Sequence, residues 1–162
     1  MKQKIWIALI VCILLPASVH ATWNIDEPQK EIASVQLEGN IFGRDFELGQ
    51  ATFNNVALTV TSKDKLGYWP ASELIIFADI TADQKEWLIT PASGPDSPHI
   101  HMRFTKEAQD FPGTLMYTGE YSMHLLVVKA TDESATIRLH VSLPDYKKSY
   151  LVGEFVAKRQ PQ

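Results

Sequence analysis

The stretch SPHIHMRF, from Ser97 to Phe104, sets His99 and His101 two residues apart behind Pro98. On an extended chain, residues i and i+2 project from one face, about 6.5–7 Å apart at Cα. Two imidazoles placed so can grip one zinc or copper ion. A closed zinc site takes four ligands and a catalytic one three plus water. A third ligand must then come from elsewhere: His124, His140 or an acid such as Asp96. Arg103 falls on the same face, and a fixed cation there repels a metal ion. The alternation of Ile100, Met102 and Phe104 accounts for the same stretch as a plain strand. The two readings differ only in what lies across from the histidines.

The aromatic residues offer a second kind of chemistry. GYWPAS places Tyr68 and Trp69 in a loop beside Pro70. Such rings can stack on sugars or anchor a protein partner. Trp69 can equally fold back as a plug over an open end of the fold. Trp87 and Tyr146 are further candidates for exposed aromatics. Catalysis has less to stand on. The chain has no G-x-S-x-G elbow and no glycine loop that opens a helix to cradle phosphate. Glu73, Asp79, Glu86 and Glu120 are the carboxylates from which a glycosidase pair would be drawn, and the sequence gives no separation between them. The expectation is a protein that is not an enzyme and needs no cofactor, zinc or copper being the alternative.

The elements that must hold these residues read as strands. VQLEGNI alternates Val35, Leu37, Gly39 and Ile41 against Gln36, Glu38 and Asn40, the two-residue period of a half-buried strand. ATFNNVALTVTS puts Asn54-Asn55 between two alternating runs, as a tight turn with Phe53 opposite Val56. SELIIFADI is apolar enough for a strand buried on both faces. EWLIT, HIHMRF and YSMHLLVV follow. In SATIRLHVSL, Ala135, Ile137, Leu139, Val141 and Leu143 point inward, and Thr136, Arg138, His140 and Ser142 outward. His140 then reads as a solvated or hydrogen-bonded histidine, and His124 as partly buried beside Leu126 and Val128. SYLVGEFVA closes the chain after the hairpin loop PDYKK. TADQKEW is expected as a single helical turn capped by Thr81 and Asp83. SKDKLGYWPA, PASGPDSP and TKEAQDFPG are loops by their Gly, Pro and small polar content. Eight or nine short strands with regular breakers predict an all-β antiparallel sandwich, Ig-like or jelly-roll, with a closed barrel as the alternative.

The N-terminus sets the compartment. MKQK is basic, IWIALIVCILL is an apolar run of 11 residues, and PASVHA ends in a V-x-A site. This is the layout of a secretory signal peptide, residues 1–21, cleaved after Ala21. The run is shorter than the about 20 residues that span a bilayer as a helix. Cys12 is the only cysteine and lies inside it. Val11 precedes that cysteine where a lipoprotein signal has a small residue. The processed chain then has no cysteine, which excludes disulfides and thiolate metal sites. Residues 22–34 are expected as a mobile leader and 35–162 as one domain. The whole chain carries a net charge of −4. Losing Lys2 and Lys4 makes it more negative, which argues against nucleic acid. The processed chain has no transmembrane segment.

LPDYKKSYLVGEFVA resembles the closing hairpin of a group of exported bacterial proteins that end in an LPD…SYVxGxF pattern. VQLEGNIFGRDF resembles the opening strand of that group, and PHIHMRF a histidine-containing strand in its middle. The resemblance spans most of the processed chain and implies the β-sandwich fold and export, with no activity attached. Together these readings predict a periplasmic or extracellular binding module. Its partner is a protein or glycan met through Tyr68 and Trp69, or, alternatively, it binds metal through His99 and His101.

Overall fold

The computed structural model describes residues 23–107 and 110–160. The expected signal peptide and Cys12 lie outside the described residues. Twelve strands follow one another: β1 (Glu38–Ile41), β2 (Arg44–Phe53), β3 (Leu58–Ser62), β4 (Lys65–Leu66), β5 (Trp69–Pro70), β6 (Ser72–Ile76), β7 (Glu86–Ile89), β8 (Ile100–Phe104), β9 (Gly113–Tyr117), β10 (Ser122–Ala130), β11 (Ser134–Ser142) and β12 (Tyr150–Arg159). Among the described residues the one helical element is a 3-10 turn, Pro91–Ser93, and no helix is long and apolar enough to cross a membrane.

The fold is all-β and mostly antiparallel. Ten strands form one sheet in the order β7-β10-β11-β12-β1-β2-β3-β6-β8-β9, while β4 and β5 make a small separate hairpin. The sheet curls like a half-barrel, so that one face becomes the inside. Phe53, Val60, Leu74 and Met102 from one limb meet Met123, Leu125, Leu139 and Phe155 from the other in a single core. The ten strands are joined by hydrogen bonds into one continuous sheet. Tyr121 is fully buried, and its hydroxyl donates to the Pro98 carbonyl, tying the start of β10 to the approach of β8.

Several local expectations differ from the structure in instructive ways. The β2–β3 turn is longer than two residues: Phe53 pairs with Leu58, and the Asn54 carboxamide oxygen accepts from the N–H groups of Val56 and Ala57 at 2.8 and 2.9 Å. An Asx side chain stands in for the missing backbone bond and so widens the turn. TADQKEW is no helical turn. The Asp79 carboxylate takes the N–H and hydroxyl of Thr81 at 2.9 and 2.6 Å and holds a bend instead. β6 is buried on one face only, with Ser72, Leu74 and Ile76 inside and Glu73 and Ile75 half-exposed.

The β1–β12 junction holds a close crossing of backbone over backbone. Gly153 sits in mid-β12 at φ +136, and the chain entering β1 passes directly over it. A Cβ at this position would lie 2.8 Å from the Val35 oxygen, the Gln36 oxygen and the Leu37 Cα, all backbone. Glu154 N–H donates to the Val35 carbonyl at 2.6 Å in the same crossing. Gly153→Ala therefore meets both a forbidden φ and immovable neighbours, and is expected to cost about 3 kcal/mol or more. Gly67→Ala shares a positive φ but has nothing within 4 Å of the added atom, so only the conformational cost of about 1–2 kcal/mol remains. Urea unfolding of the two variants side by side measures the difference.

Candidate functional site

The histidine strand is built as its period suggests. Ile100 and Met102 are fully buried, and His101 and Arg103 face outward on β8. His101 packs its ring edge against Phe77, with centroids 4.7 Å apart. Arg103 is bonded to the Glu73 carboxylate at 2.9 Å. His99 stands exposed just before β8 and lines an open pocket of about 550 Å³ with Asp79, Asp96 and Trp87. Asp79 is already engaged, and the Thr81 hydroxyl bonded to it holds its carboxyl below the ordinary range.

The third ligand is not where the metal reading needs it. His124 and His140 pair with each other across β10 and β11, toward the other end of the strand order from β8, and both face out of the sheet. Among the described residues no group of three His, Cys, Asp or Glu side chains is arranged to hold a metal ion. With two ligands at most, His99 and His101 are expected to give only weak, millimolar heat when zinc is titrated into the protein in a calorimeter. Micromolar binding lost in His99→Ala would show a site completed in another way.

His124 and His140 have a different task. The segment expected as a mobile leader lies along the outer face of β10 and β11. Gln29 is gripped there by its main chain: its N–H donates to His140 Nδ1 at 3.0 Å, and its carbonyl lies 2.8 Å from His124 Nδ1. His124 Nε2 lies 2.9 Å from the Glu86 carboxylate. Both partners of the His124 ring are acceptors, so the ring makes both bonds at once only when it carries both protons. His140 accepts at Nδ1 and so carries its proton on Nε2.

Further contacts extend the seat in both directions. The Trp23 indole N–H donates to the Leu143 carbonyl at 2.8 Å, and Asn24 bonds through its N–H to Ser142 and through its carbonyl to the Ser122 hydroxyl. Pro28 and Ile32 are buried beneath the segment. At its far end the Ser34 hydroxyl accepts from Arg138 and donates to Glu154 at 3.1 Å, while Arg138 reaches Glu154 directly at 2.8 Å. His140, read from sequence as a solvated or hydrogen-bonded histidine on the polar face, is hydrogen-bonded there and fully buried. The strand period reports the face but not what covers it.

The hydrogen bond from Arg138, more than any other contact, holds the Glu154 carboxyl below its usual value. A depressed carboxyl stabilises the fold above its unfolded pKa, and that contribution is lost as pH falls through the folded value. Melting temperature is therefore expected to drop below the ordinary glutamate range, with a shallower drop in Glu154→Gln. Melts of the two proteins from neutral pH into acid measure it.

The aromatic residues divide. Trp87 is buried, at 8% exposure, whereas Tyr146 is exposed. Tyr68 sits at the tip of the β4–β5 hairpin, beside Gly67 at φ +64, and is 99% exposed. Trp69 is half-buried. Its indole N–H donates to the Asp110 carbonyl at 3.1 Å, and its ring lies 6.5 Å from that of Phe111, itself 74% exposed. Phe111 was legible by the same sign as Tyr68: an aromatic in a breaker-rich loop. A groove of about 390 Å³ runs from Tyr68 past Lys63, Lys65 and Gln50. The four carboxylates weighed as an acid pair are held separately. Glu73 bonds Arg103, Asp79 bonds Thr81, Glu86 bonds His124, and Glu120 stands exposed in the turn before β10. No protein-family model matches this chain, and neither a curated protein nor a solved structure matches it.

Proposed function

We propose that this is an exported, periplasmic or extracellular binding module that does no catalysis. Its working surface is the tip formed by Tyr68, Trp69 and Phe111. The observation that carries this reading is the pairing of a 99% exposed tyrosine with a 74% exposed phenylalanine on two loops tied together by the Trp69–Asp110 bond. Large rings left in water cost hydrophobic free energy that burial would recover. Flat aromatic surface of this kind suits a sugar ring or an apolar anchor of a protein. As architecture, the two limbs of the curled sheet face each other across the core as sandwich layers do, and loops at one end of such a module carry recognition. Export rests on the basic, apolar and V-x-A layout of the first 21 residues and on the resemblance to exported bacterial proteins.

The test uses the purified protein against a panel of immobilised polysaccharides and, separately, against cell-envelope proteins by crosslinking. Tyr68→Ala and Phe111→Ala are each expected to weaken capture about tenfold or more with no change in melting temperature. Capture that survives both substitutions rejects the tip. A lowered melting temperature in either variant assigns the rings to the fold instead.

A further inference from the structure

The β1–β2 turn, the loop of residues 143–149 and the residues after β8 come together at one end of the strands. Phe42 stacks on Phe104 with ring centroids 3.8 Å apart and meets Tyr146 edge-on at 5.4 Å. Its N–H donates to the Ser149 hydroxyl at 2.8 Å, which ties the turn to the loop. Phe42 and Lys148 both hold left-handed backbone, φ +52 and +56, which is costly for any residue but glycine. Tyr146 is 76% exposed. Around these rings lie three exposed lysines. The Lys106 ammonium is 5.6 and 5.4 Å from the centroids of Phe42 and Phe104, that of Lys147 is 5.3 Å from Tyr146, and that of Lys148 is 5.0 Å from Trp23. Among the described residues none of the three is in an ion pair. The carboxylate inside the loop, Asp145, is buried and accepts from the N–H groups of Lys147 and Ser149 at 2.9 and 3.0 Å. Glu107, beside Lys106, is offset by Arg44 on the same small pocket. A chain of net negative charge thus gathers cations without carboxylate partners at one end.

We infer that this end of the protein docks on an anionic lipid bilayer. Lysines beside aromatic rings suit the boundary where lipid phosphates lie over apolar chains. The ammonium meets the phosphate, and the ring next to it enters the layer beneath. Each lysine close to such a surface adds to the attraction. An acidic polymer could meet the same cations; chain length selects the bilayer. Trp23 stands eight residues beyond Leu15, the last residue of the apolar run. Eight extended residues reach at most about 29 Å. While the run is attached, this end is therefore held close to the lipid in which the run sits. The inference rests on the export reading and not on the aromatic tip.

The test uses protein recovered after export, its N-terminus read by mass spectrometry, in sedimentation with vesicles. It is expected to bind vesicles of equal parts phosphatidylcholine and phosphatidylglycerol, not phosphatidylcholine alone, and to bind less as salt is added. Lys147→Glu with Lys148→Glu is expected to weaken binding at least about tenfold. Lys129→Glu with Lys158→Glu makes the same change of charge at the opposite end of the strands, beside Thr136 and Ser134, and is expected to change binding far less. Equal loss in the two variants overturns the inference, because net charge then explains it. So does equal binding to both kinds of vesicle, or binding that survives Lys147→Glu with Lys148→Glu. Retention on dextran sulfate without vesicle binding overturns it in favour of an acidic polymer. A chain that begins at Thr22 and binds no vesicle rejects the inference alone; a chain that retains residues 1–21 rejects the export reading and the inference with it. If Lys147→Glu with Lys148→Glu fails to fold, Lys106→Glu with Tyr146→Ala decides by the same comparison.

Discussion

The core of this protein has no second layer to lean on. Among the described residues the sheet meets no helix beyond a single 3-10 turn, so its apolar face can be buried only against itself. The curl is the answer to that constraint. Leu74 and Met102 on one limb are removed from water by Leu125 and Leu139 on the other. The curl in turn needs places where backbone can lie on backbone. Gly153 is one. At Gly39, φ +152, an added Cβ would fall 2.1 Å from the Tyr150 oxygen. Both glycines flank the β1–β12 junction, where the limbs meet, so the strand that closes the chain and the strand that opens the sheet depend on two missing side chains.

Once the inner face is satisfied, the outer face decides what is left for interaction. Along β10 and β11 that face is polar but not wet. Ser122, His124, His140 and Ser142 are buried because a length of main chain, residues 23 to 34, is laid over them. Side chains take the part that a neighbouring strand's backbone takes elsewhere, gripping Gln29 by N–H and C=O together. Tyr68 and Phe111 on the tip are among the large apolar side chains left uncovered, with Tyr146, Met116 and several valines elsewhere. His124 and His140 are spent on holding the segment of residues 23 to 34, while His99 stays exposed beside its pocket.

How far this was legible depends on which force set each feature. Inward residues of β11 were readable because core burial imposes a strict period: Ala135, Ile137, Leu139, Val141 and Leu143 are all buried as their alternation predicts. The fate of the outward set was not, because periodicity carries no information about a segment more than 100 residues away, as Trp23 is from Leu143. The first half of β2 was missed although Phe46 points inward between Asp45 and Glu47, because charge density masks a strand whose outer face is fully solvated. The turn at Asn54 was placed correctly and its length was not, since the Asx bond that widens it is a side-chain choice. Of the site, the exposure of Tyr68 followed from its loop. The separation of His99 and His101 from His124 and His140 followed from strand order, which no local pattern encodes.

The seat of residues 23 to 34 has a consequence for the order of assembly. Its contacts are made by side chains and carbonyls from Ser122, His124, Arg138, His140, Ser142 and Leu143, all in the last third of the chain. Loop closure over such separations comes late, after nearer pairings such as β2 with β3 have formed. As a chain emerges from its N-terminus, the first described residues to appear are among the last to find a place. Until β10 and β11 exist, Trp23, Pro28 and Ile32 have no surface to bury against and that stretch stays open to whatever acts on it.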